Sequence, residues 1–370
     1  MASLLHSTNE SSIDELSEAQ SHLYKHMLCY TNCMALKCAI ELGIPNIINN
    51  NKNGQPITLS QLVHALQIPS SKTSSLRRLM RVLVHFGFFT SKKEEEEEEE
   101  DAYGLTTSTK LLVSNNNNNN DDVSSLSPYV VGVLEPAMVT PFHFLGSWFK
   151  KDDATTPFQL ANNGMKFYEY WEKNTQFGDR MNEAMGSDSG MLKLVFNAKN
   201  KDLFKHVFEG ITSLVDVGGC TGDVCKILME VFPHLKCSVF DLPHVVAANN
   251  LHNNNIQNLK FIEGDMFQQI PQADAILIKE CVTILKKCKE AICYNKGGKV
   301  MIIDIVINSD EDENQVLEAK LSFDLLVMIL FATGKERSQK EWETLIFQAG
   351  FTRYKITPLF SLKSLIELFP

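Results

Sequence analysis

The chain has no pair of cysteines at C-x-x-C spacing, although it holds nine cysteines in 370 residues. That absence argues against a zinc ribbon or a dithiol redox motif, and the odd number leaves no complete disulfide framework, so no metal is expected. Cys29, Cys33, Cys38, Cys281, Cys288 and Cys293 fall in helical patterns and read as buried thiols of a reducing compartment. No basic N-terminal segment precedes a long apolar core, so no secretory leader is expected. The longest apolar run, residues 325–332, falls far short of the roughly 20 residues that span a bilayer. The expectation is a cytoplasmic protein with no membrane partner. Excess positive charge is lacking too: 35 Lys and Arg stand against 45 Asp and Glu, a net of −10, which disfavours non-specific nucleic-acid binding. Seven of those negative charges form one run, 94–100, so the rest of the chain is close to balanced. Finally, no histidine follows His252, which denies an imidazole to the last third of the chain.

What is present is a strand–turn–helix signal at 213–223, SLVDVGGCTGD. Leu214, Val215 and Val217 read as a short buried strand, Gly218, Gly219 and Gly222 as a turn, and 224–231 as a helix by its apolar spacing. Such a unit opens nucleotide-binding α/β folds, because glycines let the backbone approach a ligand and the helix start offers free N–H groups. The spacing here is acid-x-Gly-x-Cys-x-Gly rather than G-x-G-x-x-G, and an acid before the turn suits a cationic ligand better than a pyrophosphate. Strands are read at 214–217, 236–240, 259–263, 273–278 and 300–306, alternating with helices, and a terminal hairpin at 352–357 and 365–369.

Before residue 213 the pattern is helical. Residues 18–42 carry apolar residues at helical spacing, with Gly43 and Pro45 to stop them. A helix so apolar is either packed in the core or covered by a second copy of the chain. Helices at 58–66 and 70–86 followed by short strands at 88–90 and 103–105 make a winged-helix pattern. The second of those helices carries Lys72, Arg77, Arg78 and Arg81, which raises DNA binding as an alternative. The wing, however, is the glutamate run, and carboxylates beside a phosphate backbone oppose binding, so no nucleic-acid partner is expected. The tracts 94–100 and 115–120 read as solvated insertions. Residues 126–148 and 166–191 read as helices rich in aromatic and Met residues, which suit a core and equally a flat apolar ligand.

Nearly end to end, the chain resembles the plant S-adenosylmethionine (SAM)-dependent phenolic O-methyltransferases of the isoflavone and flavonoid kind. The likeness rests on LKCAIELGIP (36–45), LRRLMRVLVHFGFF (76–89), NEAMGSDSGM (182–191), LVDVGG (214–219), FDLPHVV (240–246), GDMF (264–267), KKCKEAI (286–292) and GKER (334–337). It implies a mainly helical winged-helix dimerisation domain over 1–112, making a homodimer through its N-terminal helices. Over 113–370 it implies a helical substrate-pocket segment and an α/β, Rossmann-like, doubly wound SAM-methyltransferase sheet of seven strands, the last antiparallel. By the same resemblance Asp216, Gly218, Asp241, Asp265, Met266 and Lys279 match positions at the cofactor. A carboxylate at Asp241 has a physical sense, since it can accept from both ribose hydroxyls. Met185, Trp148 and Phe167 match the pocket for a phenolic acceptor, and Asp304 and Glu336 the two acids that flank the catalytic base.

The base itself departs from the pattern. The family places a histidine shortly after the strand that ends near Lys279, whereas here Lys279 runs at once into Glu280 and Cys281 of the next helical pattern. A second departure is Cys220, where the family's turn has its middle glycine. A phenol with a pKa near ~10 is mostly un-ionised at neutral pH, and a histidine base contributes about 10²–10⁴ in rate. The expectation is therefore an impaired SAM-dependent O-methyltransferase, with a non-catalytic dimerising relative as the alternative. Joining strand to helix with no residues to spare is also expected either to cost the helix its first turn near 281–284 or to end the strand early.

Overall fold

A computed structural model of the chain describes residues 12–51, 54–93, 101–114, 124–153, 155–197, 199–247, 256–279, 284–292, 297–308, 312–360 and 362–370. The chain divides into two compact units, Met1–Asn117 and Asn118–Pro370.

In the first unit the helix expected over 18–42 is two, Ile13–Met27 and Tyr30–Glu41. Ser12 and Glu15 cap the first reciprocally, and at the break the Thr31 hydroxyl donates to the Leu28 carbonyl at 2.7 Å. Gly43, at φ +73°, ends the second helix, but Pro45 stops nothing: it sits in the first turn of the next helix, Ile44–Asn50, where its missing N–H has no bond to lose. Helices Leu59–Ala65 and Thr73–His85 follow, with an antiparallel sheet of β1 (Ile57–Thr58), β3 (Asp101–Leu105) and β2 (Phe89–Lys93) in that order. Their core gathers Ile44, Ile48, Leu62, Met80, Leu83 and Phe89. None of the residues of Ile13–Met27 is buried, and Ile13, Leu16, Leu23 and Met27 are all exposed. Ile13–Met27 is therefore no part of the core described for this unit, and its apolar stripe is exposed. The 94–100 and 115–120 tracts lie outside the described residues.

The second unit is built on one sheet. Strands β4 (Ser213–Val217), β5 (Lys236–Asp241), β6 (Leu259–Glu263), β7 (Ala275–Lys279), β8 (Lys299–Ile307), β10 (Arg353–Phe360) and β11 (Lys363–Phe369) lie in the order β10-β11-β8-β7-β4-β5-β6, and the two-residue β9 (Arg337–Ser338) adds to β8. Strands β4 to β8 are parallel, and β11 is antiparallel to both neighbours. Alternate residues serve the two faces. Leu214, Leu277, Met301, Ile303 and Leu365 pack with the Asp223–Val231 helix on one. Val215, Ile276, Ile278, Ile302 and Ile366 pack with Leu285, Trp342 and Ile346 on the other.

The expected long helices before the sheet are broken. Pro136, Pro141 and Pro157 each restart a short helical turn, and Asn174 caps Thr175–Gly190 by accepting from the Phe177 N–H at 3.1 Å. Strand β7 runs through Lys279 and does not end early. The next helix, Leu285–Ala291, starts only after Ile284, and residues 280–283, including Glu280 and Cys281, lie outside the described residues.

One buried ion pair ties the antiparallel strand to the sheet: Lys299 Nζ on β8 meets Glu367 Oε1 on β11 at 2.8 Å, with side chains only 8% and 3% exposed. Removing one partner leaves a buried charge alone, so Lys299→Met should cost about 3–5 kcal/mol, while the double change Lys299→Met with Glu367→Leu should recover most of it. Urea unfolding of the three proteins reads the difference.

Candidate functional site

The glycine turn leaves the C-terminal end of β4 and is tied to β5 at once, since the Gly218 N–H donates to the Phe240 carbonyl at 2.8 Å. A Cβ on Gly219 would lie 2.6 Å from Asp216 Oδ2, so only glycine passes over that carboxyl. Cys220 comes next with φ +48°, a left-handed conformation that costs a side-chain-bearing residue energy. Its N–H donates to Asp241 Oδ2 at 3.0 Å, and the Leu242 N–H donates to Asp241 Oδ1 at 2.7 Å. Asp241 thus holds the turn against the end of β5 rather than capping the following helix. Each carboxylate oxygen has two lone pairs, so both can accept a further hydrogen bond.

Asp216 is expected at the cofactor by the resemblance. It is 3% exposed and lies beneath the turn, with the Cys225 thiol donating to Oδ2 at 3.7 Å. Burial pushes its pKa up to about 7, against the opposing pull of the Cys225 thiol and the Lys279 ammonium. Asp216 supports the turn; the open edge belongs to Gly218 and Asp241. After β6, Asp265 accepts from the Phe267 N–H at 2.9 Å and from Gln268 Nε2 at 3.1 Å, and Met266 packs half-buried against the sheet.

Along this edge the strand order β6-β5-β4-β7 sets Asp265 and Met266, then Asp241, then the glycine turn, then Lys279 in one row. Lys279 Nζ donates to Asp188 Oδ2 at 2.7 Å and to Ser189 Oγ at 3.2 Å. Lys363 Nζ, from the start of β11, donates to the same Asp188 oxygen at 2.5 Å. Burial alone would raise the Asp188 pKa, but the Lys363 and Lys279 ammoniums outweigh it and hold the carboxyl at about 2. Sequence reasoning assigns no role to Asp188 or Lys363. Asp188 falls within NEAMGSDSGM (182–191), but nothing local marks it for an ion pair, and the place of Lys363 follows only from the pairing of β11 with β8.

Asp304, on β8, is 7% exposed and accepts the Ile305 N–H at 2.7 Å through Oδ1. Strand β9 sets Arg337 opposite Val306 in parallel register, which brings Glu336 alongside Ile305, one residue from Asp304. The alternation of β8 places Asp304 on the face of Ile302 and Val306, whereas Asp216, Lys279 and Lys363 share the other face with Leu214, Leu277 and Leu365. The two groups therefore meet only at the strand ends.

Of the expected pocket residues, Phe167 is 5% exposed and centres an aromatic cluster with Phe158, Trp171, Phe177 and Phe331. Met185 packs half-buried against this cluster. Trp148 is not brought to it among the described residues. Its indole N–H donates to the Thr155 carbonyl at 2.6 Å, and its ring meets Phe149 edge-on.

Comparison with known proteins agrees with this architecture. A family described as the O-methyltransferase domain matches residues 142–352, and one described as the O-methyltransferase dimerisation domain matches residues 24–115. The chain is 45% identical to an isoflavone 4'-O-methyltransferase of Medicago truncatula, covering 98% of this chain and 99% of the relative. It is 44% identical to a probable O-methyltransferase 3 of Humulus lupulus, over 98% and 95% respectively. Among solved structures, human N-acetylserotonin methyltransferase in complex with SAM superposes with a TM-score of 0.75 at 15% identity, covering 98% of this chain and 99% of that one. A calicheamicin-biosynthesis methyltransferase in its SAH-bound form gives 0.75 at 22% identity, over 97% and 100%.

The enclosed carboxyl of Asp216 gives a pH signature. Between an unfolded pKa near ~3.9 and the folded value of about 7, the folded chain keeps a proton that the unfolded chain has released. The wild type should therefore lose stability relative to Asp216→Asn as pH rises through that window, by up to about 4 kcal/mol, and the gap should stay constant above it. Chemical denaturation of both proteins from pH 4 to 8 measures the slope.

Proposed function

Because the chain belongs to the plant phenolic O-methyltransferase family, we propose that it transfers a methyl group from SAM to a phenolic hydroxyl of a flavonoid- or isoflavonoid-type acceptor, and does so slowly. The observation that carries this reading is the row of groups along the sheet edge. Asp241, open to two hydroxyls, stands beside a turn whose backbone is bare at Gly218 and Gly219, and Lys279 stands one strand further on. SAM, when bound, supplies a methyl on a sulfonium, an electrophile that needs no metal. Gly218 and Asp241 would receive its backbone-facing and ribose portions, and Asp265 with Met266 its base, since a thioether packs softly on a flat ring.

Cys220 is the misfit: its thiol stands among the carboxylates of Asp241, Asp223 and Asp216, and burial and those charges raise its pKa. No histidine follows Lys279, where the resemblance puts the base. Asp304 and Glu336 remain, the two acids that the resemblance places beside the base. Orientation of the acceptor against the methyl group still contributes, which is why slow transfer, not none, is proposed. The uncovered stripe of Ile13, Leu16, Leu23 and Met27, in a chain whose 24–115 segment matches a dimerisation domain, supports a homodimer through the N-terminal helices.

Two measurements test this. With no imidazole to accept the proton, the rate of labelled-methyl transfer should rise about tenfold per pH unit towards the pKa of the acceptor. A plateau near pH 6–7 would overturn that view. One overpacked side chain costs roughly 1–3 kcal/mol, so Cys220→Gly should tighten SAM binding by about tenfold in calorimetry. A chain that binds no SAM in either form would instead be a non-catalytic dimerising relative.

A further inference from the structure

We infer that His22 and His26 form a chelating site for a divalent transition-metal ion of the imidazole-binding class (Zn²⁺, Ni²⁺, Cu²⁺) on the first helix, Ile13–Met27. The site lies in the N-terminal unit and is independent of the cofactor reading above.

Residues four apart on a helix lie one above the other on the same face, so the two imidazoles are neighbours. Their Nε2 atoms are 3.1 Å apart, while the ring centroids are 4.5 Å apart with the planes at 64°. The rings therefore converge at these nitrogens and do not stack. In the metal-free chain one Nε2 donates to the other. A neutral imidazole with its proton on Nδ1 presents a lone pair at Nε2, and two such rings offer two lone pairs side by side. A metal ion ~2.0–2.1 Å from each nitrogen, at an N–metal–N angle of about 90–110°, needs the nitrogens ~2.8–3.4 Å apart. The observed separation is already that of a chelate.

The surroundings favour a cation. The same helix carries Asp14, Glu15 and Glu18 against Lys25, and Glu18 lies one turn before His22 on the same face. Nitrogen ligands select the first-row transition ions over Mg²⁺ and Ca²⁺, which take oxygen. Among the described residues no third His, Cys, Asp or Glu joins the pair in a three-ligand group, so the remaining positions fall to water and the ion is exchangeable. Both imidazoles lie about a third of a turn round the helix from the stripe of Leu16, Leu23 and Met27, on its polar side. None of the residues of this helix is buried, so an ion bridging His22 and His26 would tie together a last turn that the core does not hold.

The test is calorimetry with Ni²⁺ on the purified, untagged full-length chain in a non-coordinating buffer. The wild type is expected to bind one Ni²⁺ whose affinity falls about tenfold or more in His22→Gln and in His26→Gln, since each change removes a ligand that had acted intramolecularly. Cys29 and Cys33 follow closely and are exposed rather than buried, so their thiols are the competing ligands. The double change Cys29→Ser with Cys33→Ser is expected to leave that affinity as it was. Saturating Ni²⁺ should also slow hydrogen exchange of the amides of 22–27 in the wild type and in neither His variant. Absence of Ni²⁺ binding by the wild type, undiminished binding by the His variants, or loss of binding in the thiol variant overturns the proposal. If a variant does not fold, the wild-type exchange pattern decides alone, and no slowing at 22–27 overturns it.

Discussion

The carboxyl of Asp216 and the backbone of Gly219 contend for the same space, and much of the site depends on how that is resolved. With only 2.6 Å between Asp216 Oδ2 and the place of a Cβ, residue 219 must be bare backbone. The turn is then laid flat over a buried acid whose charge burial opposes. The next residue is constrained in its turn: Cys220 is forced into a left-handed conformation, and its N–H points to Asp241. The one contact thus links the floor of the turn, the strain at its apex and the orientation of the carboxylate at the end of β5.

Charge is arranged along the same edge in a graded way. The acids Asp241 and Asp265 face the β5 and β6 end, and the ammoniums of Lys279 and Lys363 lie towards β8 and β11. Asp188, from a helix outside the sheet, fixes the cationic end by pairing with two strands at once. The buried Lys299–Glu367 pair secures β11, the strand that carries Lys363, to β8.

The parallel strands were legible because a buried strand in an α/β sheet is a short apolar run between turns, and β4, β5, β6 and β8 lie within one residue of where such runs place them. The glycine turn was legible for the same local reason. Other features were not local. Strand β9 is two residues paired with β8, so nothing in 337–338 announces it, yet its register sets Glu336 alongside Ile305. The segments 126–148 and 166–191 have helical apolar spacing throughout, and prolines that begin short helices look, in sequence, like tolerated interruptions. Lys363 and Asp188 are 175 positions apart, and no pattern along the chain joins them. The first helix shows the reverse case: its apolar stripe was plain, and only the fold shows that its residues are not buried.

Fold and chemistry separate at the end of β7. Ile278 is 0% exposed, and Ile284 and Leu285 at the start of the next helix are 1% and 3% exposed. The strand and the helix are thus docked in the core on both sides, and the helix begins late enough to join them. By resemblance, the family's base belongs to that connection and not to either docked element. Folding selects for apolar residues that fill the sheet's two faces, and it exerts no such demand on a side chain whose task is to take a proton from an acceptor. The turn, Asp241 and Lys279 are each fixed at a strand end, whereas a side chain in a connecting segment has no such anchor.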